Sequence, residues 1–362
     1  MIHFQPLVIL LSRHLDGLVS SLLWVSLLGF IINKILKSSL LKAYLCVGFF
    51  IILTLLGGCA NLPQTAAILE RIPSDIPSRV ELENVPFFPQ DDYQCGPAAL
   101  ATVLNASGIK IEPETLVSQV YIPSKKGSLQ IEMLASIRRQ GRIAYELQPQ
   151  LIDILREIHA GRPVLVLENF NTGFSDTWHY AVVVGYDLNR KELISRSGIN
   201  RRETLSFNNF EYIWKEGGYW ALVVLSLDEL PATVNENYYA QSVLALEQSG
   251  HLKQAKTAYQ TLLKRWPKNL IGQIGLGNTA YALGDLASAK LVLTQAIQNH
   301  PESAMAHNNL AHVLADLGDM KEAIKTAEKA ISLGGPFLEL TKETLNEIQL
   351  KEKNLKLRHK KE

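Results

Sequence analysis

Three cysteines stand in 362 residues, and only one lies in a stretch that reads as folded. Cys46 is inside an apolar N-terminal run, Cys59 ends that run, and Cys95 remains, so the folded part has no intrachain disulfide. Its lone thiol is either an inert buried group or a reactive one. Net charge is almost absent: 36 Lys and Arg face 35 Asp and Glu, which removes the bulk signature of a nucleic-acid binder. No G-x-x-x-x-G-K loop occurs, so no nucleotide is an expected ligand. The nine histidines are scattered, without the paired Cys or His spacing that holds a metal, so no cofactor is expected either. At 47% apolar and 20% charged residues the chain is neither disordered nor a multi-span transporter. Its length predicts about two folded units at roughly 150 residues each.

The charge that is present is uneven. Lys34, Lys37 and Lys42 precede 16 uncharged residues, Ala43 to Gly58, which end directly at Cys59. Basic flank, apolar run and small residues are the layout of a signal peptide, and the run is short of the ~20 apolar residues a spanning helix needs. Leu56-Gly57-Gly58-Cys59 resembles the bacterial lipoprotein box. That resemblance implies lipidation of Cys59, an anchor on the periplasmic side of the inner or outer membrane, and a bacterial cell envelope location; a plain membrane anchor is the alternative. A second apolar run, Leu18 to Asn33, makes the leader longer than the usual 15 to 30 residues, so translation is expected to start after Met1, with a real extra membrane segment as the alternative. Residues 1–58 are thus read as signal or membrane segment, and 59–79, with Pro63, Pro73 and Pro77, as a tether.

Cys95 opens the run Cys95-Gly96-Pro97 followed by AALATVLNASG, in which Leu100, Val103 and Leu104 fall at helical spacing and Gly108 stops the pattern. Proline suits the first helical turn, so Cys95 is placed at a helix N-terminus, where unpaired N–H groups and the macrodipole are expected to lower a thiol pKa. Gly96 is expected to let a substrate backbone approach. A thiolate nucleophile needs a base that later protonates the leaving amine. Of the nine histidines, only His159 and His179 share the region of Cys95. His159 ends the amphipathic stretch LIDILREIHAG, where a cation complements a helix C-terminus. His179 opens the β-rich run Tyr180 to Tyr186 after the turn-like FNTGFSDTW, and is the preferred base.

Gln90, then Cys95-Gly96-Pro97 and a helix, then His179 leading a hydrophobic strand, resemble the papain-like bacteriocin-processing (double-glycine leader) cysteine peptidase family over roughly residues 80 to 228. The resemblance implies Cys95 as nucleophile, His179 as general base and acid, and Gln90 as an oxyanion donor alongside the backbone N–H of Cys95. Gln94 is nearer in sequence but fits the pattern less well. Such families place an Asp or Asn on the strand after the histidine strand, and here that strand reads Glu192 to Gly198 without such a group. Asp187 lies eight residues along the same run, about 26 Å away at ~3.3 Å per residue, and cannot reach the ring. Ser197 is the expected orienting partner, with a backbone carbonyl or Asn200 as alternatives.

The C-terminal part repeats with a period of 34: Gly250, Gly284 and Gly318, Ala255, Ala289 and Ala323, and Pro267 and Pro301. This resembles the tetratricopeptide repeat, two antiparallel helices per unit. Three units are expected over 236–336, with a capping helix and basic tail over 337–362. The fold expected is therefore an α+β papain-like cysteine peptidase domain followed by an all-α tetratricopeptide-repeat solenoid. Its expected function is that of a thiol peptidase acting on a peptide or protein substrate, with a protein partner in the repeat groove and a lipid anchor in the membrane. A non-catalytic binding lipoprotein and an acyl or peptidyl transferase using the same Cys-His pair are the rivals.

Overall fold

The computed structural model describes residues 62–90, 94–171 and 176–358, which lie in one compact unit, Leu62–Glu362. The run at 43–58 and Cys59 lie outside the described residues; among those described, no helix is long and apolar enough to cross a membrane.

In chain order the first half holds α1 (Pro63–Glu70), β1 (Arg79–Glu81), α2 (Cys95–Ala106), α3 (Pro113–Val120), the hairpin β2 (Tyr121–Ile122) and β3 (Gly127–Ser128), and α4 (Gln130–Arg139). There follow β4 (Ile143–Glu146), α5 (Leu151–His159), β5 (Val164–Asn169), β6 (Trp178–Asp187), β7 (Glu192–Ser197), β8 (Asn200–Ser206), α6 (Phe207–Glu216) and β9 (Ala221–Leu225). Seven strands pair antiparallel in the order β4-β9-β5-β6-β7-β8, with β1 on the far half of β6.

The central strands read as nearly continuous Val, Leu and Ala because helices cover both faces of the sheet. On one face α2, α3 and α4 bring Leu100, Leu104, Leu116 and Met133 against Leu165, Val182 and Leu222. On the other, α5 and α6 bring Leu155, Phe207, Phe210 and Trp214 against Val164, Val166, Ala181 and Val183. Alternation along β5 and β6 thus decides which helices each side chain meets.

The second half is α7 (Glu236–Gln248), α8 (Leu252–Arg265), α9 (Leu270–Ala282), α10 (Leu286–Asn299), α11 (Ala304–Asp316), α12 (Met320–Leu333) and α13 (Leu338–Arg358). The 34-residue period has a physical cause at each position. Gly250, Gly284 and Gly318 have φ of 83°, 80° and 86° two residues past α7, α9 and α11, the left-handed stop that glycine adopts without penalty. Ala255, Ala289 and Ala323 are fully buried between helices. Against α11 and α12, α13 buries Thr341, Thr344 and Ile348.

The seam between the halves is apolar. Tyr239, Val243 and Leu246 of α7 and Tyr259 and Leu262 of α8 belong to the same buried cluster as Tyr145 of β4. The Tyr145 and Tyr239 rings lie 6.4 Å apart, and the Tyr145 hydroxyl donates to Thr233 O (3.3 Å) and accepts from Asn235 N (3.0 Å). The buried Glu157 accepts from Arg162 Nε (2.7 Å) and from Thr233 N and Oγ1 (2.8 Å each), a second polar pin at the same seam.

Candidate active site

Cys95 is the first residue of α2, half-buried, with Gln94 at the N-cap. The backbone N–H of Tyr180, the residue after His179, acts on its thiol, which places Sγ beside the main chain of β6. A cavity of about 740 Å³ opens beside it, lined among others by Leu129, Leu167, Asp176, Trp178 and Tyr180. The Tyr180 hydroxyl donates to Ser128 O (3.2 Å), and its ring meets Trp220 edge-on at 5.8 Å.

Trp178 and Tyr180 line the cavity, and His179, between them on β6, projects to the other side of the strand. There its ring lies 6.1 Å from Phe170, and Nε2 is 3.1 Å from Ser197 Oγ. Ser197, picked from the sequence as the orienting group, is buried at the end of β7, opposite Asn200 in the β7–β8 turn. With Nε2 engaged, Nδ1 is the nitrogen left for proton exchange with a thiol. Thiol and imidazole thus meet β6 at adjacent residues, one through the main chain and one through its side chain.

Gln90 is half-buried, and its backbone N–H donates to Gly198 O (3.3 Å), which ties the approach to α2 to the turn after Ser197. His159 ends α5 and is exposed. Asp187 accepts from the N–H groups of Asn189 and Arg190 at 3.0 Å each, a turn-forming role away from the site.

Two expectations are corrected. Gly96 does not leave room for a substrate backbone: a Cβ there would collide with the Ser128 side chain, so glycine is needed for β3 to press on the start of α2. The thiol of Cys95 is not pulled down. Burial pushes it up, against the opposing pull of the backbone N–H groups of Tyr180, Gly96 and Cys95 itself. Burial likewise presses the His179 imidazole down, offset in part by Glu203. Both shifts favour a neutral thiol beside a neutral imidazole at rest.

One group escaped the sequence reading. Glu168 of β5 stands directly opposite His179 in the β5–β6 ladder and is 1% exposed. Its signal was an acid inside the apolar run VLVLEN, separated from His179 by a turn-like segment, which is the arrangement of a hairpin.

The sequence pattern of the Peptidase_C39 like family matches residues 82–222, and that of the tetratricopeptide repeat matches residues 241–289 and 274–335. No curated protein matches the chain. Among solved structures, a protein from Bacillus anthracis described as a C39-like peptidase is 18% identical over 41% of this chain and 98% of its own, with a TM-score of 0.34. The first tetratricopeptide domain of Spaghetti, bound to an HSP90 peptide, is 16% identical over 32% of this chain and 90% of its own, with a TM-score of 0.30. A tetratricopeptide-repeat protein from Thermus thermophilus is 24% identical over 32% of this chain and 64% of its own, also at 0.30. The chain joins a domain of the C39-like peptidase family to an array of tetratricopeptide repeats.

Proposed function

We propose that this protein is an exported, lipid-anchored thiol peptidase whose repeats recruit the protein substrate or a partner that delivers it. The observation that carries the reading is the Cys95 thiol beside the Tyr180 N–H, one residue from an imidazole whose Nε2 lies 3.1 Å from Ser197 Oγ. In the reaction, Sγ attacks the scissile carbonyl as its proton passes to His179 Nδ1, and the imidazolium returns that proton to the leaving amine. Water then cleaves the thioester, releasing the acid and restoring the thiol. Gln90 would stabilise the oxyanion with the backbone N–H of Cys95. Cys59 carries the lipid, which holds the domain on the periplasmic side of a bacterial membrane.

A second reading, a non-catalytic binding lipoprotein, is favoured by one observation: burial keeps both thiol and imidazole neutral at rest. Peptide profiling of envelopes holding wild type or Cys95→Ala separates the two. New peptide termini that vanish in Cys95→Ala support the peptidase, and identical profiles overturn it. Added amine acceptors that divert the product into a new amide would instead mark transfer. Cys59→Ser should move the protein from membrane to soluble fraction; retention on the membrane refutes the lipid anchor.

A further inference from the structure

Packing alone does not account for Glu168. Val164 and Val166 fill the same sheet face with apolar side chains, yet the next position carries a carboxyl whose two oxygens have no hydrogen-bond partner among the described residues. Burying such a group without a partner is costly, on the order of several kcal/mol when charged. Its register removes the puzzle. Directly opposed residues of an antiparallel ladder leave from one face with Cβ atoms roughly 4.5–5.5 Å apart, and the residue opposite Glu168 is His179.

We propose that Glu168 is the counter-ion of the His179 imidazolium, a positioning residue that supplies, from the strand before the histidine strand, the negative charge that β7 does not place beside the ring. This rests on the reading of His179 as the base for Cys95. At rest the face is neutral: Glu168 keeps its proton and the imidazole has none to spare. When Cys95 passes its proton to His179, Glu168 releases its own to water and faces the new imidazolium as a carboxylate. The ion pair forms in a low-dielectric setting, where such attraction is strong.

The charged surroundings are consistent with that role. From β8, Glu203 acts on both partners, raising the carboxyl and the imidazole alike. On α6, Glu211 is taken up by the N–H groups of Gln64 and Thr65, while Tyr212, Lys215 and Glu216 complete its titratable set. On α5, Glu157 is paired with Arg162 and Arg156 with Asp75, beside Asp153 and His159. The neighbouring β9 carries no titratable side chain, Tyr180 leaves β6 on the opposite face, and the Cys95 thiol lies beside the Tyr180 N–H, at the main chain of the strand.

The test is an NMR titration from pH 5 to 9 of the full chain in detergent micelles, with ¹⁵N histidine and ¹³C-carboxyl glutamate labels. Loss of signals in Glu168→Gln and His179→Gln assigns the two groups. Because the ring is neutral at the Glu168 midpoint, the pair is read with a cation in place: His179→Lys should lower the Glu168 midpoint by a unit or more, and Glu168→Gln should leave the resting His179 midpoint where it is. Iodoacetamide alkylation of Cys95 at pH 7 should slow about tenfold in Glu168→Gln, one unit being a factor of ten. A Glu168 midpoint unmoved by His179→Lys overturns the proposal, because a merely structural Glu168 would not feel a cation at position 179. Should Glu168→Gln fail to fold, His179→Lys decides alone: a lowered Glu168 midpoint supports the pair, and an unchanged one overturns it. Wild-type Cys95 that iodoacetamide leaves unmodified refutes the nucleophile reading, while the titrations still decide Glu168.

Discussion

Raising the pH should cost this protein stability through Glu168. Burial pushes its carboxyl up to about 8 from an ordinary 4.5, with the like charge of Glu203 acting in the same direction. The folded chain therefore keeps a proton that the unfolded chain gives up above about 4.5, and stability falls as pH rises between these two values. At about 1.4 kcal/mol per unit, the loss by pH 7 is about 3 kcal/mol, set against the roughly 5–15 kcal/mol that holds a typical domain folded. Glu168→Gln keeps the shape of the side chain and removes its titration. Urea unfolding of the full chain in detergent should find the two proteins nearly equal at pH 5, with the variant gaining roughly 1.4 kcal/mol per unit up to pH 8. His179 acts in the opposite sense, its depressed imidazole letting stability rise with pH up to the unfolded value of 6.5. Present in both proteins, it largely cancels from the difference. Parallel pH profiles would refute a buried, neutral Glu168.

Removing the Nε2 partner by Ser197→Ala should cost about 1 kcal/mol of transition-state stabilisation, a five- to tenfold fall in kcat/KM once a substrate is in hand; an unchanged value would show that Ser197 does not orient the ring. Because α7 shares its core with the sheet, Tyr239→Ala should lower stability by about 3–5 kcal/mol and leave a single unfolding transition by near-UV and far-UV circular dichroism. Two separated transitions would contradict a common core. At Gly217 a Cβ would collide with the Leu167 carbonyl oxygen, so Gly217→Ala should destabilise by about 1–3 kcal/mol in the same urea assay, and full stability would show that α6 does not press on β5 there.

The local elements were legible in the chain because their causes are local. Proline in the first turn and apolar spacing marked α2, the Val-rich run marked β6, and glycine, alanine and proline at a 34-residue step marked the helix pairs. Ser197 could be named as a partner for His179 because two adjacent antiparallel strands bring residues on either side of their turn together. The register between β5 and β6 placed Glu168 opposite His179, and that depends on strand pairing across a turn rather than on any neighbour in sequence. The contact of Ser128 with Gly96 joins a hairpin to a helix about 30 residues before it, so the sequence reading assigned the glycine to the wrong visitor. The direction of the Cys95 and His179 shifts followed from burial, a property of the assembled sheet and its covering helices. A helix N-terminus can be read from three residues; how much water reaches it is settled only when the rest of the chain has packed around it.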